Sequence, residues 1–146
     1  MFVFSHDGEE KKLLKKTKSF FPRIANISEP ILVESGQDAL FECVFSANPV
    51  MYDGITWLRH DRDADAEVSV TEDRQRFSQD WDDIGGNMVR ARLIVRNVSV
   101  ADAGKIFCAV SNGYGVEARS ETFLLVKRKF ISSLINFLLD LNTNPL

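Results

Sequence analysis

The chain has 146 residues, 45% of them hydrophobic and 27% charged, with a formal net charge of -3. That balance supports one buried core and excludes a compositionally disordered chain. It also excludes an overall positive field of the kind that draws in nucleic acid, so no nucleic-acid partner is expected. No apolar run approaches the roughly 18 residues that cross a bilayer, and residues 1–4 are too short for the apolar centre of a signal peptide. The expectation is a chain that, as written, neither spans a membrane nor carries a secretion address.

Residues 1–22 form a basic N-terminal tail, with Lys11, Lys12, Lys15, Lys16 and Lys18 around Leu13 and Leu14, then Phe20, Phe21 and Pro22. A short basic helix, a solvated linker or an anchor on anionic lipid all fit this composition. From residue 23 to residue 127 the pattern changes to short stretches of period-two alternation, which predicts antiparallel strands. Ala39, Phe41, Cys43 and Phe45 alternate with Leu40, Glu42 and Val44, and Ile55 and Trp57 alternate with Thr56 and Leu58. Arg90, Arg92, Ile94 and Arg96 interleave with Ala91, Leu93 and Val95, so that strand has one wet face. Gly36, Asn48-Pro49, Asp53-Gly54, Gly85-Gly86 and Asn112-Gly113 supply turns. The reading is an all-β, two-sheet antiparallel sandwich with a non-domain tail at each end.

Residues 128–146 form the C-terminal apolar tail. Within it, residues 130–141 place Ser132, Ser133, Asn136 and Asp140 on one stripe at helical spacing, with apolar residues elsewhere. Twelve residues are too few to span a bilayer. A helix packed on the domain, an interfacial helix and the start of a longer segment are the readings open for it.

Two cysteines, Cys43 and Cys108, stand 65 positions apart on two predicted strands and are able to close one bond, which restricts the unfolded chain by about 4 kcal/mol. Trp57 lies 14 residues after Cys43, and Asp102-Ala103-Gly104-Lys105-Ile106-Phe107 leads into Cys108. Over residues 23–127 this resembles the immunoglobulin superfamily, and within it an I-set domain. In that family a strand C tryptophan packs on a disulfide joining strands B and F. The resemblance implies a Cys43–Cys108 disulfide with Trp57 as its core marker. It further implies an Arg76–Asp102 ion pair, a buried strand E pattern in Leu93, Val95 and Val98, and a last strand at Leu124-x-Val126. Cys108, Val110, Asn112 and Gly115 match the family's Cys-x-Ala-x-Asn-x-x-Gly run, with Val in place of Ala. The family's tyrosine two residues before the second cysteine is Ile106 here. Ala47-Asn48-Pro49 and Asn112-Gly113-Tyr114-Gly115 are similar to domains of neuronal and renal adhesion receptors of the nephrin and hibris type.

No catalytic constellation assembles, because His6 and His60 have no serine or cysteine nucleophile with an orienting acid beside them. The chain is therefore expected not to be an enzyme and to need no cofactor. Two Cys and two His at these spacings fit no zinc template. Asp61, Asp63, Asp65, Glu67, Ser69 and Glu72 fall at the positions of a calcium loop, but its sixth position is Ala66 where a sharp turn needs Gly. A solvated hairpin edge is the expectation there, with no metal. Asn26-Ile27-Ser28 and Asn97-Val98-Ser99 make Asn26 and Asn97 acceptors for N-glycosylation in a secretory compartment.

If Trp57, Ile106, Cys108, Leu124 and Val126 point inward, alternation sends Leu58, Phe107, Ala109, Phe123 and Leu125 outward on adjacent strands C, F and G. Those five residues form the expected apolar, partner-binding patch, with Phe107 at its centre and Lys105 on its rim. The function expected is protein–protein recognition in cell adhesion. The partner is a homophilic or heterophilic receptor of the same superfamily, and the parent chain is a longer, membrane-anchored protein outside the cell or at its surface. The alternative is a spacer module of a titin-like intracellular muscle filament protein, with reduced cysteines and unused acceptor sites.

Overall fold

Period-two burial runs through the central strands of the structure, a computed structural model that describes residues 18–70 and 73–143. The strands are β1 (Phe20–Ile27), β2 (Ile31–Glu34), β3 (Ala39–Asn48), β4 (Ile55–Asp61), β5 (Ala66–Ser69), β6 (Phe77–Gly85), β7 (Met88–Val95), β8 (Gly104–Val110) and β9 (Ala118–Lys127). In β3 and β7 every second side chain is buried along the whole strand, as a sheet with one packed face requires. Single 3-10 turns at Tyr52–Gly54 and Val100–Asp102 connect strands across the sandwich, and one helix, α1 (Lys129–Thr143), follows β9.

The strands form two sheets, ordered β1-β3-β7-β6 and β2-β9-β8-β4-β5. Strands B, C, D, E, F and G of the expected pattern are β3, β4, β6, β7, β8 and β9. All pairings are antiparallel except β2 with β9, which run parallel with Leu32 beside Leu125 and Glu34 beside Lys127. The chain changes sheets between β1 and β2. There Ser28 holds β3, its hydroxyl accepting the Glu42 N–H at 2.7 Å while its own N–H donates to the Glu42 carbonyl at 2.9 Å.

Between the sheets lie Phe41 and Phe45 from β3, Trp57 from β4, Leu93 and Val95 from β7, Ile106 from β8 and Leu124 from β9, all fully buried with Val98. Each large apolar side chain removed from water contributes about 1.5–3 kcal/mol, against the entropy of ordering the chain.

Two boundaries differ from the sequence expectation. β1 begins at Phe20, because Phe20 pairs with Asn48 and the Asn48 side-chain amide donates to the Lys18 carbonyl at 2.7 Å. Pro22, placed by sequence in the tail, is buried. Residues 1–17 of the basic tail, for which a short helix is one reading, lie outside the described residues. The C-terminal helix is longer than its apolar run, reaching from Lys129 to Thr143. It leaves Ile135, Phe137, Leu138, Leu139 and Leu141 at least half exposed, so these side chains are not packed into the sandwich.

Candidate interaction face

The outward face of the β2-β9-β8-β4-β5 sheet rests on a rigid layer. Cys43 and Cys108 are disulfide-bonded with their Cα atoms 6.5 Å apart, joining β3 of one sheet to β8 of the other. Trp57 is the register partner of Cys108, and all three residues are inaccessible to solvent. Ile106, two residues before Cys108, is buried at the position of the tyrosine in the resembled domains, so it contributes packing there and no hydroxyl hydrogen bond.

At the lower end Arg76, just before β6, donates from its guanidinium to the Asp102 carboxylate in the turn before β8. The Ser99 N–H also donates to that carboxylate, at 2.8 Å, and Arg76 reaches the Asn97 carbonyl at 3.5 Å. Burial on its own pushes the Asp102 carboxyl up. The Arg76 hydrogen bond, the Ser99 N–H and the guanidinium charge outweigh burial and hold the group below its ordinary value.

At the upper end Asn112 is buried and donates to the carbonyls of Phe20 at 2.8 Å and Pro49 at 3.1 Å, while its side-chain oxygen accepts the Tyr114 N–H at 3.1 Å. One amide thus ties the β8–β9 turn to the start of β1 and to the β3–β4 connection. This is the structural reason for the Asn112 and Gly115 spacing noted in the sequence. Gly115 has φ +66° and lies so close to Phe21 that a Cβ would come within 2.9 Å of it. Gly54 is tighter still, since a Cβ there would stand 1.9 Å from the Ser111 carbonyl oxygen.

Of the five residues assigned to an outward apolar patch, the structure keeps four at the surface and removes one. Ala109 is 1% exposed, a correction to its assignment: its methyl group sits between register partners Thr56 and Arg119, both of which outreach it. Leu58 and Phe107 are register neighbours and half-buried. The guanidinium of Arg119 lies over the Phe107 ring, 5.2 Å from its centroid, and is ion-paired with Glu67 of β5 and with Glu117 at 3.6 Å. Glu121 stands directly beside Phe107 in register and pairs with Lys105 at 3.8 Å. The expected continuous patch is therefore divided by a charged layer.

Its open part lies further toward the β2 edge. Phe123 and Leu125 are 37% and 48% exposed, and Leu32, beside Leu125 across the parallel pair, is 62% exposed. Leu32 was missed from sequence because the four residues of β2 do not reveal which strand they join. Arg119 was missed because a long side chain packs its stem and plane over neighbours that alternation alone leaves bare.

The remaining candidates fall elsewhere. His60 lies on the β4–β5 hairpin, 3.3 Å from Asp65. The acidic loop is that same hairpin: the Asp61 carboxylate accepts the N–H groups of Asp63 at 2.9 Å and Ala64 at 3.3 Å, which holds it below the usual carboxylate range, and Glu67 is engaged by Arg119. Glu72 lies outside the described residues, and among the described residues no three metal-ligating side chains cluster. Asn26 and Asn97 are both exposed, Asn26 on β1 of the other sheet and Asn97 in the connection between β7 and β8.

Residues 22–126 match the immunoglobulin I-set domain. Nephrin of Mus musculus is 27% identical over 121 residues, which is 83% of this chain and 9% of nephrin. Nephrin of Rattus norvegicus is 25% identical over the same share. The chain thus spans under a tenth of the length of these relatives. Among solved structures, Dpr2 Ig1-Ig2 in complex with DIP-Theta Ig1-Ig3 superposes with TM-score 0.61 at 21% identity, covering 75% of this chain and 33% of that one. A chimeric titin Z1Z2 gives 0.59 at 24% identity, covering 77% and 99%. The N-terminal eight Ig domains of Down Syndrome Cell Adhesion Molecule give 0.58 at 20% identity, covering 73% and 13%. These structures share the fold. With the family matched over more than two-thirds of its length and a disulfide–tryptophan layer between its sheets, the chain belongs to the immunoglobulin superfamily as an I-set domain.

Proposed function

We propose that this domain is a non-enzymatic recognition module that binds a second immunoglobulin-type domain through the outward face of the β2-β9-β8-β4-β5 sheet. Its setting is a longer cell-surface protein. The carrying observation is the contiguous strip of Leu32, Leu125 and Phe123, exposed on an otherwise charged face. Apolar groups of this size left in water mark a contact that is completed by another molecule. Lys105, Glu121, Glu34 and Lys127 surround the strip on adjoining strand positions, an apolar centre with a polar rim. Phe107 under Arg119 extends the contact toward β4, and aromatic–arginine pairs are frequent energetic centres of interfaces.

Two further observations support this reading. Asn26, one of the two N-glycan acceptors, lies on β1 of the opposite sheet, so sugar attached there leaves the strip bare. The Cys43–Cys108 bond suits an oxidising compartment, and similarity to nephrin agrees with a place at the cell surface.

Sedimentation equilibrium on the oxidised chain, wild type beside Leu125→Asp, tests the proposal. Concentration-dependent dimers lost in the variant, with folding retained, support a homophilic contact through the strip. Monomers of both up to high micromolar concentration remove that contact and leave a different partner domain or the spacer role. Free thiols and unmodified Asn26 and Asn97 in protein from its native tissue identify the spacer.

A further inference from the structure

We infer, resting on the recognition role proposed for the strip, that its partner is a second copy of this domain, with the two β9 strands laid antiparallel across a two-fold axis that lies between the faces and crosses β9 at Leu124. Along β9 the outward side chains Glu121, Phe123, Leu125 and Lys127 are all exposed, and they alternate with the inward Thr122, Leu124 and Val126. At about 3.3 Å per residue the acid and the base stand about 10 Å to either side of Leu124, with one apolar side chain next to it on each side. Read in reverse, the row gives base, apolar, apolar, acid. An antiparallel copy therefore sets Phe123 against Leu125 and Glu121 against Lys127, twice over, from a single patch of surface, which is the condition for a two-fold contact. Laid parallel, the same rows put acid on acid and base on base. The axis also keeps β2 over β2, so Leu32, beside Leu125 in register, meets its own counterpart and widens the apolar centre.

Both charges are free to make these pairs. Among the described residues the Lys127 ammonium has no ion-pair partner, although Glu34 is its register neighbour. Glu121 is held only by Lys105, at 3.8 Å with both side chains about half exposed, which leaves its carboxylate open to a second cation. Elsewhere on the outward faces the arginines are matched within the domain, Arg92 by Asp80 and Asp82 and Arg119 by Glu67 and Glu117. A partner of different sequence has to present base, apolar, apolar and acid at this spacing, whereas this chain supplies that row itself. Three apolar side chains per copy make a small contact, so the dimer is weak in solution and gains strength where many copies face one another.

Charge reversal, read by sedimentation equilibrium of the oxidised full chain, tests the inference. Glu121→Lys and Lys127→Glu each turn two attractive pairs per dimer into two repulsive ones, so either alone is expected to weaken the dimer about tenfold or more. Mixed one to one, the two variants regain both pairs and form heterodimers with an affinity within about threefold of wild type. The double variant, Glu121→Lys with Lys127→Glu, carries the wild-type net charge and dimerises on its own again. Thermal melts of all three variants match wild type, because both positions face solvent, and this separates lost binding from lost folding. Dimers that are lost in Leu125→Asp but not weakened by the single reversals, or not restored by the mixture and the double variant, overturn the two-fold pairing and leave the strip standing as a recognition surface. Wild type that stays monomeric to high micromolar concentration overturns the second copy as partner. Dimers that persist in Leu125→Asp overturn the strip itself.

Discussion

The two sheets present their outward faces to solvent in opposite states. On the β1-β3-β7-β6 sheet the centre is a ladder in which Glu42, Arg92 and Asp80 stand side by side in register, with Arg92 bonded to Asp80 at 2.6 Å and Asp82 at 2.7 Å. The exposed large apolar side chains of its strands, Phe21, Leu40, Trp81 and Ile84, are spread over β1, β3 and β6, with Trp81 stacked on Tyr52, and the glycan acceptor Asn26 is on this sheet. On the β2-β9-β8-β4-β5 sheet the salt bridges gather over Phe107 and stop short of the edge, where Leu32, Phe123 and Leu125 meet. The difference shows that alternation in a sandwich settles what faces the core but not what the outer face is for. A face whose charges pair among themselves asks nothing of a partner, whereas one with a bare apolar edge does.

The comparison breaks first where both faces depend on the same interior. Trp57→Ala removes the largest fully buried side chain beside the disulfide and is expected to cost about 3–5 kcal/mol, read as a lower urea midpoint with the slope retained. Replacing Cys43 and Cys108 together by Ala costs about 2–5 kcal/mol in the same assay.

Asp102→Asn comes next, at about 2 kcal/mol near neutral pH, because the Arg76 charge loses its partner in a partly buried corner. The folded carboxyl titrates below its ordinary value. Its stabilisation is therefore present above the ordinary carboxylate range and is lost as pH falls through the folded value. Urea titrations across acid pH are expected to bring wild type and variant together at the acid end. A gap that stays constant with pH contradicts the ion pair's role.

Arg92→Ala opens the closed face. It is expected to have a smaller effect than Asp102→Asn, since the ladder is solvent-facing, and the effect shrinks further in high salt. The smallest effect on stability belongs to Leu125→Asp, within about 0.5 kcal/mol in thermal melts, because nothing in the core leans on an outward side chain. That contrast sharpens the comparison: substitutions on the closed face act on folding, and those on the strip act on binding.

Much of this was legible in the sequence, for identifiable reasons. Strict alternation over β3 and β7 leaves one packing solution, and the spacing of Cys43, Trp57 and Cys108 points to the layer found between the sheets. Arg76 and Asp102 were recognisable because both flank strands whose order the resemblance implied. The outer face was legible only in part. Side-chain direction was read correctly for Leu58, Phe107, Phe123 and Leu125, but exposure depends on neighbours across strands. Ala109 is too short to rise above Thr56 and Arg119, and Phe107 lies under a guanidinium from the next strand. Leu32 depends on a parallel pairing that nothing local in four residues encodes. The start of β1 at Phe20 was hidden because its partners, Asn48 and Asn112, are 28 and 92 positions away.

The most direct test of the open-face account is aggregation of beads displaying the oxidised domain, comparing wild type, Leu125→Asp and Leu40→Asp. Both variants place one carboxylate at an exposed leucine, one on each sheet. The account predicts that wild type and Leu40→Asp aggregate alike while Leu125→Asp does not. Aggregation that survives Leu125→Asp, or that is lost only in Leu40→Asp, contradicts it.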